Sequence, residues 1–339
     1  MDVLLPEWSP RRALILRWPW RPDIWPSAGR DAQAALLQLL NILAAPLQQR
    51  DIRIQLEVPA AYCDVARQAV PSTVEIIDSG FADIWIRDCA PFYVGKRAVV
   101  TDFNGWAGLD SDYADDLVAR EALCTRFNLQ PTKLDLVLEG GSVHTDGAGL
   151  LVYIKTAVLD PNRNPLLNQI ELHQLLRAVF KVTDVVALDA GLASDETGGH
   201  TDNLLTFLSA DLALVSMPVS PQHGDYKNAQ SSVAALQSHG INVLAVPQPD
   251  LQLSAEEASR IVLRDGVKQR HVGMPLTASY ANGIRIDDIY VVPKFGVPED
   301  ALAYAAICAA CPQLTVLQAP ARALLVGGGG WHCASHSVV

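Results

Sequence analysis

Residues 201–246 read TDNLLTFLSADLALVSMPVSPQHGDYKNAQSSVAALQSHGINVLAV. Two β-like runs within Thr201 to Met217 bend near Ser209 to Asp211, a helical pattern follows over 225–238, and the aliphatic run Ile241 to Val246 has the composition of a buried strand. The same order returns along the chain. Helical patterns lie near 30–49, 113–128, 164–180 and 299–310; the third follows Asn-Pro and the last opens with Pro-Glu-Asp, both sound helix starts. Buried-strand runs recur at Ile52 to Val58, Val185 to Leu188 and Leu314 to Leu317. Paired runs recur at Phe92 to Phe103, turning at Gly95-Lys96, at Gly141 to Ile154, turning at Asp146-Gly147, and at Ser279 to Pro293, turning near Asp287-Asp288. Five helices imply five units of an α/β chain. Such units can wind as a doubly wound sheet or close into a ring, and closure is expected because the polar segments fall at corresponding hairpin positions. No Pro/Ser/Gly-rich linker or charge run divides the chain, so residues 1–339 read as one domain.

Half of the 339 residues are hydrophobic and 19% are charged, enough to bury a large core. Lys plus Arg number 26 against 37 Asp plus Glu, a formal charge of -11. That balance opposes binding to nucleic acid or to anionic membrane surfaces and favours a small cationic substrate. The longest apolar candidate, Ala301 to Ala310, is too short to span a bilayer, and the N-terminus lacks the basic start and apolar stretch of a signal peptide. A cytoplasmic location with reduced thiols is the expectation. The six cysteines are too sparse for a disulfide framework, and Cys308 with Cys311 read as small buried helix residues.

Four clusters of polar and glycine residues interrupt this quiet chain: 85–88, 139–142, 195–203 and 327–333. Cys333 follows the run Gly327 to Gly330, which lets backbone approach a ligand closely; it reads either as a nucleophile or as a residue of a frayed tail. No GxxxxGK[ST] supports a phosphate loop. His200 and Asp202, two apart at an expected strand start, should point to one face. His332 and His336 suggest a metal cluster, but without an HExxH or a Cys/His quartet no metal is expected. Asp88, Glu139, Asp195 and Asp202 each read alone as loop residues or helix caps. Together they suit a guanidinium, a planar and permanent cation whose N–H forks match carboxylates.

On these residues the chain resembles the agmatine deiminase family of the guanidino-group-modifying superfamily, nearly end to end. The resemblance lies in Trp18-Pro19 with Arg21 to Trp25, Trp85 to Asp88, Phe103 to Trp106, Leu138 to Ser142 with His144, Asn162 to Pro165, Asp195 to Asn203, Ala278 to Asn282 and Gly327 to Cys333. It implies a pseudo-fivefold α/β propeller of five ββαβ-type units around a central active site, and hydrolysis of a guanidine to a urea and ammonia without metal or organic cofactor. It also implies that Cys333 attacks the guanidinium carbon and that His200 serves as acid and base, oriented by Glu139. Asp88 and Asp202 would clamp the guanidinium, and Trp85, Glu196 and Asn282 would complete the substrate-binding set. Agmatine is the implied substrate, with another alkylguanidine or free or peptidyl arginine as alternatives, and a non-catalytic guanidine binder as a further one. Family members are often homodimers. The family's Arg-Asp-Thr-Gly-Pro reads here Arg87-Asp88-Cys89-Ala90-Pro91, Gly198 replaces a polar residue, and Trp331-His332-Cys333 replaces Ile-His-Cys. These departures are expected to reshape the pocket beyond the guanidine, with Trp85 and Trp331 as candidate walls.

Overall fold

A strand buried on both faces must pair along both edges or be covered, and five such arrangements organise the computed structural model, which describes residues 2–339. In the stretch that opened the sequence reading, Leu205–Ser209 runs antiparallel to Leu212–Met217. A parallel third strand cannot follow by a tight turn. Helix Tyr226–Ser238 therefore crosses back, burying Ala229, Ser232 and Leu236 at three- and four-residue spacing, and delivers Asn242–Pro247 parallel to Leu212–Met217.

The same three-stranded plan recurs. Phe92–Val94 and Arg97–Asp102 form a hairpin, and helix Ala114–Arg126 returns Thr132–Val137. Val143–Thr145 and Leu150–Ile154 are followed by helix Gln169–Phe180 and Asp184–Leu188. Ile284–Ile286 and Ile289–Lys294 are followed by helix Glu299–Ala310 and Thr315–Pro320. The fifth sheet joins distant parts of the sequence: Ser335–Val338 pairs antiparallel with Ala13–Arg17, and helix Arg30–Gln48 returns Arg53–Val58. Helix Cys63–Ala69 adds a fourth strand there, Val74–Asp78, which the periodicity did not announce because only its first residue is buried. Between the unit that ends at Pro247 and the one that begins at Ile284, Leu251–Gln252 pairs with Pro275–Leu276, enclosing a long irregular segment. Among the described residues no helix is long and apolar enough to cross a membrane.

The expected hairpin turns and helices are found within a few residues of their anticipated bounds, except at two places. The run expected from Ser279 becomes strand only at Ile284, and Thr201–Leu204 is a short helical turn rather than strand.

The four polar clusters lead into the first strands of four of the sheets and residues 278–282 into that of the remaining one, and hydrogen bonds join these five segments in a closed cycle. The amide of Gly141 donates to Asp88 Oδ1 (2.9 Å), Thr201 Oγ1 to the carbonyl of Ser142 (2.6 Å), and Asn282 Nδ2 to Asn203 Oδ1 (2.9 Å). The amide of His332 donates to the carbonyl of Asn282 (3.2 Å) and that of Arg87 to the carbonyl of Cys333 (3.2 Å), which returns the cycle to its start.

Candidate active site

Helix Arg322–Gly327 ends on Gly328, whose φ of +115° favours glycine, and the chain then turns toward Cys333. A Cβ on Gly327 would lie 2.1 Å from the Trp25 ring, and one on Gly329 would lie 2.8 Å from Trp85 and 3.2 Å from Cys333 Sγ. The glycine run thus serves close packing of two indoles and a thiol rather than flexibility. Cys333 is 5% exposed. This excludes the frayed-tail reading.

Two side chains hydrogen-bond that thiol, and Asp88 and His200 line the same cleft. Sγ donates toward Asp202 Oδ2 at 3.3 Å and accepts from Asn282 Nδ2 at 3.1 Å. A Cβ built on Gly141 would meet His200 Nδ1 at 2.7 Å, Asp202 Oδ2 at 2.9 Å and Asp88 Oδ1 at 3.0 Å, so the three side chains surround one point. His200 and Asp202 reach it from a helical turn, not from strand alternation as expected. Asp195 fixes that turn: its Oδ2 accepts from the His200 amide (2.7 Å) and Asn203 Nδ2 (2.8 Å), and its Oδ1 from Thr197. Asp195 is therefore a loop-holding residue, not part of a cation receptor.

The electrostatics follow from burial and neighbours. Burial, then the charges of Asp202 and Asp88, hold the Cys333 thiol well above its usual range, so the free protein carries a thiol. Burial chiefly raises Asp88, whose Oδ2 accepts from Trp106 Nε1 at 2.9 Å and whose Oδ1 is 3.7 Å from His200 Nδ1. Burial alone would lower His200, but Asp88, Asp195, Glu139 and Asp202 outweigh it and raise it. Asp202 goes the other way: burial would raise it, and the hydrogen bond from His332 Nδ1 (2.8 Å) lowers it. His332 is raised, burial and Arg87 notwithstanding, by Asp202 and by Glu7, whose Oε1 lies 3.7 Å from His332 Nε2. His332, a candidate metal ligand in sequence, is instead the counter-charge behind Asp202. Asp202 Oδ1 and His200 Nε2 are buried without protein partners.

Three expected roles are corrected. Glu139 does not hydrogen-bond His200; its oxygens accept from Arg163 Nε (2.7 Å) and Ser142 Oγ (3.2 Å), so it acts on the imidazole through charge alone. Glu196 lines the catalytic cleft, but its carboxylate is forked by Arg270 at 2.6 and 3.2 Å, with Lys268 Nζ at 3.8 Å. Asn282 does not line the cleft; besides the thiol it holds the amides of His332 and Cys333 on Oδ1, at 3.1 and 3.3 Å. It holds the Cys333 thiol and the turn that carries it.

The cleft has about 540 Å³ of empty space, partly open to solvent, and Trp85, Asp88, His200 and Cys333 all line it, whereas Asp202, fully buried beside the thiol, does not. Trp331 does not: it is 1% exposed and packs by Leu16, Leu36 and Leu324, and Trp106 supplies the second indole wall. Cys89, Ala90 and Gly198 also lie outside the lining, so the departures from the family pattern sit behind the cleft instead of reshaping it. Burial and nearby acids push the Cys89 thiol up to about 12, which keeps it inert. Arg163 is spent on Glu139 and Arg87 on Glu7 (2.9 Å), while the cleft's cations are Lys268 and Arg270, in a segment without periodicity.

With this geometry in hand, comparison with known proteins is informative. The model of the Porphyromonas-type peptidyl-arginine deiminase family matches residues 3–338. The agmatine deiminase of Ectopseudomonas mendocina (strain ymp) is 31% identical over 350 residues, spanning 96% of this chain and 92% of its own. That of Stutzerimonas stutzeri (strain A1501) is 32% identical over 355 residues with the same coverage. In structure the chain is similar to the agmatine deiminase of Enterococcus faecalis (TM-score 0.91, 24% identity, 99% of this chain and 95% of that one). It is also similar to a C. jejuni agmatine deiminase with substrate bound (TM-score 0.86, 23% identity, 100% and 96%). These two likenesses establish the mixed α/β fold.

Proposed function

The chain belongs to the Porphyromonas-type peptidyl-arginine deiminase family, and from that premise we propose that it is a cysteine-dependent hydrolase that deiminates agmatine to N-carbamoylputrescine and ammonia. Asp88, His200 and Cys333 line one cleft, and Asp202 lies 3.3 Å from the Cys333 thiol; this grouping carries the reading. The curated relatives that are agmatine deiminases support the substrate. We take the five sheets as blades of one closed, pseudo-fivefold propeller domain, supported by the hydrogen-bonded cycle of five loops and by the pairing of Ala13–Arg17 with Ser335–Val338.

In this mechanism the guanidinium enters between Asp88 and Asp202, and Asp202 Oδ1 gains the donor it lacks. The incoming cation offsets the carboxylate field that keeps the thiol protonated, and Cys333 releases its proton to solvent water in the open cleft. The thiolate forms a bond to the guanidinium carbon. Protonated His200 gives its proton to the departing nitrogen, the C–N bond breaks, and ammonia leaves an amidino-thioether. Neutral His200 then takes a proton from water as the water attacks the same carbon. The C–S bond breaks and the adduct's hydroxyl proton passes to solvent, returning thiolate and the neutral ureido product. Arg163 and Ser142 hold Glu139, whose negative charge keeps the imidazole basic enough for both steps.

Lys268 and Arg270 in the cleft favour a second reading, in which the tail carries a carboxylate as free arginine does. Ammonia release from agmatine, free arginine, an arginyl peptide and shorter and longer alkylguanidines decides between them. Agmatine should be turned over in preference to all others; preference for arginine favours the second reading, and no ammonia from any of them overturns both.

A further inference from the structure

Four carboxylates line the catalytic cleft: Asp83, Asp88, Asp110 and Glu196. Three have both oxygens occupied by protein donors. Asp88 accepts from the Gly141 amide and Trp106, Asp110 from the Asp112 amide (2.9 Å) and Arg21 Nη1 (3.0 Å), and Glu196 from both Arg270 terminal nitrogens. Asp83 differs. Its Oδ1 accepts from the Ile84 amide at 2.7 Å, and among the described residues no protein donor hydrogen-bonds its Oδ2 and no cation pairs with it within 4.0 Å. The residue is only 4% exposed, yet it lines the cleft. Its free oxygen therefore faces the cleft, where a ligand can reach it.

We propose that Asp83 is the specificity residue for the substrate tail: its free oxygen receives the terminal ammonium of an alkylguanidine whose guanidinium is held by Asp88 and Asp202. The assignment rests on the deiminase reading and adds the residue that selects a cationic tail. It also accounts for the pairing of Glu196 with Arg270, which removes the other acid as a receptor. Arg21 cannot serve as the partner because Asp23 and Asp110 hold its guanidinium, and Arg17, which donates to the Asp83 carbonyl (2.9 Å), is held by Glu57 and Asp116. Lys268 is the cleft cation nearest to free, its closest acid being Glu196 at 3.8 Å.

Burial, with Asp116 and Asp110 adding to it against Arg21 and the Ile84 amide, pushes Asp83 up to about 7. Below that pH it is neutral and a poor ammonium receptor; above it, it is a carboxylate. Groups that act on the guanidine end affect agmatine and butylguanidine alike, so the ratio of their kcat/KM values isolates the tail. That ratio should rise about tenfold between about pH 6 and about pH 8, as a single group with a pKa near 7 ionises. Asp83→Asn keeps the acceptor for the Ile84 amide and removes the charge. It should lower the ratio about tenfold to a hundredfold at pH 8, the worth of one charged hydrogen bond, and abolish its pH dependence. An unchanged ratio in folded Asp83→Asn, or a flat wild-type ratio, overturns the assignment while leaving deimination intact. Absence of turnover of both compounds overturns the deiminase reading and this assignment with it. The wild-type pH series needs no variant and stands even where Asp83→Asn fails to fold.

Discussion

Cys333→Ser should lose turnover of agmatine by on the order of 10⁴-fold or more, while agmatine still binds with an affinity close to that of the native protein. Sγ lies 3.3 Å from Asp202 and receives one hydrogen bond, from Asn282. Asp202 and Asp88 oppose its ionisation, and only an incoming cation reverses that field. A thiol, whose reference pKa is about 8.5, can be carried into the reactive range by such a change of charge; a serine hydroxyl is too weak an acid to follow. Binding depends on the carboxylates, which the substitution leaves in place. Turnover by the serine protein within tenfold of native would remove Cys333 from the mechanism. Loss of binding as severe as the loss of rate would mean that the sulfur also organises the receptor.

The second large effect is expected at Asp202. Its Oδ2 serves both the thiol and His332, and its Oδ1 waits for the substrate. Asp202→Asn removes one of two guanidinium counter-charges in a fully buried setting, so kcat/KM should fall on the order of 10³-fold, with KM contributing visibly. The substitution also takes the counter-charge from His332, whose remaining acid partner is Glu7 at 3.7 Å. The variant should therefore melt lower, by the equivalent of about 2 kcal/mol. His332 is raised in the folded protein, so the stability it draws from Asp202 is present while the imidazole is protonated and fades as pH rises through that raised value. The gap in melting temperature should narrow accordingly at alkaline pH. A variant with native KM and native melting temperature would contradict both roles.

How far these residues could be read from sequence depends on the range of the interaction that positions them. Turns and helices rest on local chemistry, and Gly95-Lys96 and the helix at 226–238 are found where periodicity puts them. The four polar clusters were legible because they interrupt apolar runs, and they lead into the first strands of four of the five sheets. The partners of the acids were not legible. Glu196 meets Arg270 across 74 residues and Glu139 meets Arg163 across 24, and neither pair leaves a mark in spacing. Extended geometry at His200 and Asp202 was a reasonable expectation before a strand, but Asp195 draws the segment into a turn through four hydrogen bonds. Trp331 and Trp106 look alike as isolated indoles; only the packed structure sends the first into the core and gives the second the Asp88 oxygen. Asp83 carried no signal at all, because its importance lies in a donor it lacks.

The central claim, that hydrolysis proceeds through a covalent bond from Cys333 to the substrate carbon, is tested most directly by acid-quenching the native protein during agmatine turnover and mapping the adduct by mass spectrometry. The account predicts a peptide containing Cys333 heavier by the mass of agmatine less ammonia, absent from unreacted protein and from Cys333→Ser. Turnover that continues with Cys333 found unmodified at every quench time, or an adduct on a different residue, would contradict it.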